Sequence, residues 1–221
     1  MGRNCRKILQ RARRSRSEDL NRNALDVLAC PKCDGALRTA SVALQDGVTG
    51  DIVDGLLECE ACHAQIPIVR SIPRFVSSES YTSSFGFQWN RFDQLQVDSV
   101  MRNDSSRDRF YATTGWPSSL NGERILEAGC GTGRFTELAL ETGAEVISFD
   151  LSSAVEAAWR NNGSKPLVTL FQASIYKIPL RKGAFDKIFC LGVLQHCPEV
   201  EEAFRSMIPF LRPGAGVQGS R

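Results

Sequence analysis

The hydrophobic pattern of the chain becomes regular at residue 120. From there to residue 213, short apolar runs alternate with segments whose apolar residues recur at helical spacing, which predicts strands and helices in turn. Such alternation implies a parallel sheet with right-handed crossovers, an α/β fold with helices on both faces. The predicted strands cover residues 124–128, 145–149, 167–171 and 185–191, and the predicted helices cover residues 133–142, 153–161 and 199–211.

Residues 25–76 have a different pattern and predict a separate small module. Alternating apolar positions around Leu56 and at Ile66 and Ile68 predict short strands, with a polar loop that includes Gly50 before them. A module of about 50 residues buries too little apolar surface to be stable alone, so we expect an added constraint such as a metal ion.

Residues 77–119 connect the two regions and predict a linker followed by a lid segment. Residues 77–86 are rich in serine, as linkers are. Residues 84–92, S-F-G-F-Q-W-N-R-F, contain four aromatic side chains. Their spacing favours an amphipathic segment packed on the main domain, with a lid over a ligand as the alternative. Residues 105–116 predict a helix with Gly115 just past its end.

The composition is that of a soluble globular protein, with 42% apolar and 24% charged residues among 221. No apolar run approaches the roughly 18 residues of a membrane span, and no secretion signal is present, so we expect a cytoplasmic protein. Residues 1–24 carry eight Arg or Lys against two acidic residues, which leaves the rest of the chain slightly acidic. We expect this basic extension to be disordered and solvated, with contact to RNA or anionic lipid as the alternative.

Four of the eight cysteines form two Cys-x-x-Cys pairs separated by 25 residues. This spacing is typical of a tetrahedral zinc site, and the lack of a secretion signal favours metal ligands over disulfides. We therefore predict a structural Zn²⁺ with no open coordination position. His63, next to the second pair, is an alternative ligand that we expect to be a bystander. The predicted ligands are Cys30, Cys33, Cys59 and Cys62.

The residues around these cysteines resemble a known family. C-P-K-C-D-G-A-L followed by G-L-L-E-C-E-A-C-H-A-Q-I-P-I-V-R-S-I-P-R-F is similar to the small zinc ribbons that activate tRNA and protein methyltransferases, and to the ribbon fused ahead of some methyltransferases. The family usually has an aromatic residue two places before the proline, whereas this chain has Gln65 and Ile66 before Pro67. The resemblance implies a zinc-ribbon module ahead of the α/β region.

A glycine-rich turn follows the first predicted strand of the regular region. It reads R-I-L-E-A-G-C-G-T-G-R-F and has glycine at positions 129, 131 and 133. A dinucleotide-binding turn would need its third glycine at position 134, which is Arg134. The Gly-Lys-Ser or Gly-Lys-Thr of a phosphate-binding loop is also absent from the sequence. The spacing therefore favours a nucleotide ligand without a pyrophosphate.

Asp150 ends the second predicted strand, 21 residues after Gly129. A carboxylate at this place can accept hydrogen bonds from both hydroxyls of a ribose. The acid by itself does not distinguish NAD from S-adenosylmethionine. Together with the glycine spacing, it favours S-adenosylmethionine.

Further segments resemble the motifs of class I S-adenosylmethionine-dependent methyltransferases of the small-molecule (type 11) kind, over about residues 120–214. They are V-I-S-F-D-L-S, F-Q-A-S-I-Y-K-I-P-L, F-D-K-I-F-C-L-G-V-L-Q-H-C-P and L-R-P-G. The resemblance implies a Rossmann-like sheet and a cofactor site in which Glu127 holds the glycine turn. The implied cofactor-binding residues are Glu127, Gly129, Gly131, Gly133, Asp150, Leu151, Ala173, Ser174, Ile175, Leu191 and Gly192.

The same resemblance assigns these residues to parts of the cofactor. The three glycines would pass beneath the methionine part, Asp150 would bind the ribose, and Leu151 would lie beside the adenine. Residues 173–175 would line the adenine edge, where Ser174 replaces the aspartate that the family normally has. Residues 191–193 would border the site of methyl transfer.

Methyl transfer from a sulfonium needs little acid–base chemistry, because the protein mainly aligns a nucleophile and excludes water. His196 is the candidate general base near the pocket, with a structural hydrogen bond at a helix entry as its alternative role. We expect Cys190 and Cys197 to pack against other side chains rather than to act as nucleophiles.

The C-terminal tail does not predict a strand. After L-R-P-G the chain continues A-G-V-Q-G-S-R, whereas the family continues with further strands and much of its acceptor pocket. We therefore expect the domain at residues 120–221 to be incomplete, with its fourth predicted strand as an exposed edge. Such a chain would show weak or no methyl transfer and a tendency to aggregate.

Together these observations favour an S-adenosylmethionine-dependent methyltransferase for a small-molecule, sugar or lipid-type acceptor. An rRNA or tRNA methyltransferase is the first alternative, because the basic extension suits RNA, although the rest of the chain shows no basic face. A non-catalytic zinc-ribbon binding protein with a decayed methyltransferase domain is the second. The expected partner is a small-molecule acceptor rather than RNA, and the oligomeric state stays open.

Overall fold

A computed structural model describes residues 24–76 and 105–220 of the chain. Apart from Ala24, the basic extension lies outside the described residues, as do the serine-rich linker and the aromatic segment at residues 84–92. The described strands form two sheets, one antiparallel and one parallel. Within these two ranges, no helix is both long enough and apolar enough to cross a bilayer.

The N-terminal module is an antiparallel sheet of four strands in spatial order, β1 (Leu37–Gln45), β2 (Ile52–Cys59), β3 (Gln65–Val69) and β4 (Ile72–Pro73). The strands predicted here are confirmed, and Ile66 and Ile68 are buried between exposed neighbours, as a period of two requires. The polar loop is shorter than predicted, because β1 and β2 extend into it as a hairpin. Only the first residue of β1 is buried, and its apolar side chains Val42 and Leu44 are exposed.

The C-terminal region contains the predicted parallel sheet. Its strands are β5 (Arg124–Ala128), β6 (Glu145–Asp150), β7 (Val168–Gln172), β8 (Phe185–Leu191) and β9 (Leu211–Ser220), in the spatial order β7-β6-β5-β8-β9. The helices are α1 (Ser105–Thr114), α2 (Arg134–Glu141), α3 (Val155–Asn162) and α4 (Val200–Met207). The predicted strands and helices are confirmed to within about two residues, except that the last helix ends early and continues as a 3-10 turn at Ile208–Phe210.

The prediction for the C-terminal tail was wrong, because residues 211–220 form β9 and pair in parallel with β8. Backbone groups make this ladder, so β9 needs no apolar run, and its glycines weaken the strand without preventing it. A register shift between Phe185 and Lys187 accommodates the irregular start. Strand β8 is therefore an interior strand, with β5 on one side and β9 on the other, rather than the exposed edge that we expected.

The N-terminal module rests on the β7 edge of the parallel sheet. Buried side chains of β2, β3 and β7 belong to one apolar cluster. Two isolated backbone bridges also join the two parts, Leu28 with Leu180 and Arg74 with Gln172. The apolar core thus extends continuously from the module into the main sheet.

Candidate cofactor and metal sites

The four cysteines predicted as metal ligands lie together in the N-terminal module. Their Sγ atoms all lie within 4.8 Å of one another, and the Cys30–Cys62 and Cys33–Cys59 sulfur atoms are each 3.5 Å apart. A tetrahedral zinc ion with Zn–S bonds of about 2.3 Å needs sulfur atoms about 3.8 Å apart, so the cluster fits such an ion. The backbone amides of Lys32 and Cys62 donate to the sulfur atoms of Cys30 and Cys59, at 3.4 and 3.5 Å.

Hydrogen bonds in this cluster shift the pKa values of two thiols in opposite directions. The amide of Cys62 lowers the pKa of Cys59 to about 6, although burial opposes the shift. The amide of Gly35 lowers the pKa of Cys33, but hydrogen bonds with the neighbouring thiols outweigh it and raise that pKa to about 12. A bound cation would replace the shared protons and hold the sulfur atoms as thiolates. His63 lies outside the cluster with a 75% exposed side chain, as expected for a bystander.

A cavity of about 460 Å³ opens at the carboxyl ends of β5 and β6. Strand β5 pairs with β6 on one side and β8 on the other, so the strand order reverses beside β5. In open parallel sheets, ligands bind in the crevice at such a reversal. The predicted cofactor residues that line the cavity are Gly129, Gly131, Asp150, Leu151, Ala173, Ser174, Ile175, Leu191 and Gly192.

The three glycines of the turn all have positive φ but serve different contacts. A Cβ on Gly131 would meet nothing within 4 Å, because this residue faces the open cavity. A Cβ on Gly129 would lie 2.4 Å from Cγ2 of Val193. Gly133 lies outside the cavity as the left-handed N-cap of α2, where a Cβ would lie 2.4 Å from Nδ2 of Asn162. This glycine therefore lets α2 pack closely on α3, and its contact with the cofactor stays a prediction.

Glu127 is buried beneath the turn and is absent from the cavity wall. Its Oε2 accepts hydrogen bonds from Thr136 Oγ1 at 2.5 Å and from Ser148 Oγ at 2.7 Å, which tie β5 to α2 and β6. Burial raises the pKa of this carboxyl to about 7, although the two hydroxyl groups lower it. The placement agrees with the implied role in holding the turn, and the place of Glu127 in the cofactor site stays a prediction.

Asp150 lies at the end of β6 and connects the loops on its two sides. Its Oδ2 accepts a hydrogen bond from the amide of Gly131 at 2.9 Å. Its Oδ1 accepts from the amide and the hydroxyl of Ser152, at 2.8 and 2.7 Å. A carboxylate has about four acceptor positions, so Oδ2 retains one for a ligand hydroxyl. The geometry therefore suits one ribose hydroxyl better than the two that we expected.

Residues 173–175 continue the cavity wall beyond β7. The hydroxyl of Ser174 is half-buried and accepts a hydrogen bond from the amide of Tyr176 at 3.3 Å. Oη of Tyr176 accepts from the amide of Glu199 at 3.0 Å and donates to its carbonyl at 3.3 Å. This phenol joins the loops after β7 and β8 across the cavity. Tyr176 lies in the motif F-Q-A-S-I-Y-K-I-P-L, but its contact with Glu199, 23 positions away, is not predicted from the sequence.

The loop after β8 supplies the remaining wall. His196 ends a 3-10 turn, is exposed and lines the cavity, so it can reach a bound acceptor. Cys190 is fully buried and outside the wall, as predicted for a packing residue, whereas Cys197 is half-buried and lines the cavity. Burial raises the pKa of both thiols, to about 12 for Cys190, which disfavours either thiolate as a nucleophile.

Several further cavity residues lie within the quoted motifs but were not predicted as cofactor-binding residues. Arg134 breaks the dinucleotide pattern in the sequence, but it also lines the cavity, with Cζ 4.5 Å from the centre of the Phe135 ring. Phe149 lines the cavity from β6 and stacks on Phe171, with ring centres 5.4 Å apart. An aromatic side chain in a buried strand has the same pattern as the core. Other residues of this kind are Cys130, Thr132, Ser152 and Pro198.

Two curated relatives are similar to part of the chain. The chain is 33% identical over 91 residues to the malonyl-[acyl-carrier protein] O-methyltransferase of Enterobacter lignolyticus (strain SCF1), which covers 41% of this chain and 36% of that protein. It is 28% identical over 102 residues to the ubiquinone biosynthesis O-methyltransferase of Bordetella avium (strain 197N), which covers 45% of this chain and 42% of that protein. The chain thus spans less than half the length of these relatives.

The fold and the family match agree with each other. A candidate S-adenosyl-L-methionine-dependent methyltransferase of Methanococcus maripaludis superposes with a TM-score of 0.51 at 16% identity, over 66% of this chain and 67% of that chain, which supports the fold. Residues 126–217 match the type 11 family described as "Methyltransferase domain", a range that holds the glycine turn and the loops around the cavity. This range is therefore similar to the methyltransferase domain of that family.

Proposed function

We propose that the chain transfers a methyl group from S-adenosylmethionine to a small-molecule, sugar or lipid-type acceptor. The observation that carries this proposal is the contact between Gly131 and Asp150, which places bare backbone beside a carboxylate at the carboxyl ends of β5 and β6. Bare backbone allows a close approach by the methionine part of the cofactor, and the carboxylate suits a ribose hydroxyl. When bound, the cofactor supplies an activated methyl group on its sulfonium.

In the proposed site, each loop around the cavity contacts a different part of the cofactor. Gly129 and Gly131 would lie beneath the methionine part, Asp150 would accept from the ribose, and Leu151 with residues 173–175 would border the adenine. The apolar side chains that follow β8 would exclude water from the methyl donor. An imidazole nitrogen of His196 would take a proton from the acceptor.

An oxygen acceptor is the form of this proposal that the relatives support. Both curated relatives carry O-methyltransferase names. A hydroxyl or carboxyl acceptor of modest size fits a cavity of about 460 Å³. The described residues offer no observation that favours RNA over such an acceptor.

The proposal also assigns a role to each part of the chain. Residues 25–76 would be a zinc ribbon held by one structural Zn²⁺ on four thiolates, because their sulfur atoms fit a tetrahedron. Residues 77–119 would connect it to the methyltransferase domain at residues 120–221, and residues 1–24 would form the basic extension.

Calorimetry and a methyl-transfer assay on the full chain test the proposal. We expect S-adenosylhomocysteine to bind and NADH, which represents the dinucleotide class, not to bind. Binding of NADH alone would overturn the cofactor assignment. Transfer of a labelled methyl group is then measured with small-molecule, sugar and lipid acceptors, and with tRNA and rRNA for the alternative. Cofactor binding without transfer to any of them would favour the non-catalytic alternative.

A further inference from the structure

We infer that Arg74, in the N-terminal module, is a positioning residue for the cofactor pocket of the parallel sheet. It acts through Gln172 on the loop that follows Asp150. This inference rests on the proposed cofactor site. It extends that proposal by making a side chain of the cysteine-rich module part of the support of the nucleoside-binding loop.

Arg74 follows β4 and reaches both β7 and α3. Its side chain is 11% exposed. Nη1 donates to Oε1 of Gln172 at 3.1 Å, and Nη2 donates to Oε1 of Glu156 at 3.0 Å. The guanidinium therefore contacts the end of a sheet strand and the first turn of a helix at the same time. A planar group with fixed donors holds two such partners in one geometry.

Gln172 connects Arg74 to the pocket wall. It is the last residue of β7, is 7% exposed, and its Nε2 donates to the carbonyl oxygen of Leu151 at 2.9 Å. A guanidinium can only donate, so Arg74 requires the amide oxygen of Gln172 to face it. The amide nitrogen is then turned toward Leu151. The backbone amide of Phe75 also donates to the carbonyl of Gln172 at 2.8 Å, which keeps the two segments in register.

The loop from Asp150 to Glu156 is anchored at both ends by this one guanidinium. Near the start, Gln172 holds the carbonyl of Leu151, a residue that lines the cavity. At the end, Glu156 pairs with Arg74 directly. Between these points lie the groups that orient the Asp150 carboxylate. Loosening the anchor should therefore weaken binding of the adenosine part of the cofactor more than it affects the rest of the cavity.

Arg70 provides a matched control on the same surface. Its Nη1 donates to Oε2 of Glu156 at 3.0 Å, so it shares one of the partners of Arg74. Its side chain is 71% exposed, and its side-chain contact reaches α3 rather than Gln172. Replacement of Arg70 removes an ion pair between the two parts of the chain and leaves the link to Leu151 in place.

The test compares four full-length variants with the wild type by calorimetry. The ligands are S-adenosylhomocysteine and 5′-methylthioadenosine, which lacks the amino-acid part. We expect Arg74→Met and Gln172→Glu to lower the affinity for both ligands about tenfold, because each removes a buried hydrogen bond. Arg70→Met should change either affinity by less than about twofold. Gln172→Glu keeps an acceptor for Arg74 but loses the donor to Leu151. It therefore separates the positioning of the Leu151 loop from the docking of the N-terminal module on the sheet. Arg74→Lys should recover part of the affinity.

Each result supports or overturns the inference. Wild-type affinity in Gln172→Glu would overturn it, even if Arg74→Met fails to fold. Equal weakening by Arg70→Met would also overturn it, because a general docking effect would then explain the loss. Failure of the wild type to bind either ligand would overturn the proposed cofactor site itself. The two failures are therefore distinguishable.

Discussion

The backbone amide of Gly131 donates a hydrogen bond to Oδ2 of Asp150, with 2.9 Å between the two atoms. The residues follow neighbouring parallel strands, so this contact joins the glycine turn to the loop after β6. The other oxygen of Asp150 is held by Ser152, which fixes the orientation of the carboxylate. A ligand that binds between these two loops depends on both.

Replacing Asp150 by asparagine tests this relationship. The amide presents an acceptor at only one end, so it cannot accept from Gly131 and Ser152 on opposite sides. We expect the affinity for S-adenosylhomocysteine, measured by calorimetry, to fall about tenfold or more. The control is Asp186→Asn, because Asp186 accepts from the amide of Arg124 at 2.8 Å at the opposite end of the sheet. It should lower the melting temperature without changing the affinity, and unchanged binding by Asp150→Asn would contradict the site.

Two glycine-to-alanine changes separate backbone strain from ligand contact. Gly131 and Gly115 have φ of 53° and 63°, and a Cβ on either would meet nothing within 4 Å. Each alanine should therefore lower the free energy of unfolding, measured by urea denaturation, by about 1 kcal/mol. This is the cost of placing a residue with a Cβ in the left-handed backbone conformation. Only Gly131→Ala should also weaken cofactor binding, because its methyl group would enter the cavity. Equal affinities for the two variants would show that Gly131 is needed for the turn alone.

Glu127 should make the stability of the chain depend on pH. Its pKa is about 7 in the folded chain, above the ordinary value of 4.5, so the folded chain binds this proton more tightly than the unfolded chain. The stabilisation that comes from this proton is present at low pH, and it is lost as the pH rises from 4.5 to about 7. We expect Glu127→Gln to be more stable than the wild type near pH 8 by on the order of 3 kcal/mol, and the difference to shrink toward pH 5.

Urea denaturation at several pH values measures this difference. Glu201→Gln is the control, because the Glu201 side chain is 79% exposed and its ion pair with Arg205 contributes little. Its stability should follow that of the wild type at each pH. A constant difference between Glu127→Gln and the wild type across the range would mean that the carboxyl keeps an ordinary pKa.

Zinc should be bound in the N-terminal module and should stabilise it. We expect one zinc per wild-type chain by elemental analysis, and little in Cys33→Ser, since a serine hydroxyl is a poor replacement for a thiolate ligand. Loss of the ion should lower the melting temperature. Cys197→Ser, which changes a half-buried thiol of the cavity wall, should retain the ion. A full zinc content in Cys33→Ser would exclude the four-cysteine site.

Strong local patterns account for the parts of the fold that were predicted well. Strands β5 to β8 are buried apolar runs, and amphipathic helices follow β5 and β6, so the bounds of these elements can be predicted from the hydrophobic pattern. Strands β1 and β9 were missed. The apolar Val42 and Leu44 of β1 lie exposed in a hairpin rather than in the core, and β9 is a glycine-rich ladder that backbone hydrogen bonds hold without a side-chain period. The spacing of the cysteine pairs identified residues that lie together, since each pair bends around a single point.

By itself, the sequence determined which residue types stand at the ends of successive parallel strands, and hence where a nucleoside-like ligand could bind. Only the tertiary structure decided which of these side chains reach the cavity. Gly133 packs against Asn162, Glu127 lies beneath the turn, and Arg74 meets Gln172 from 98 positions away. These contacts depend on how helices and the N-terminal module dock on the sheet. Docking is a property of packed surfaces far apart in the chain, so no local period or spacing encodes it.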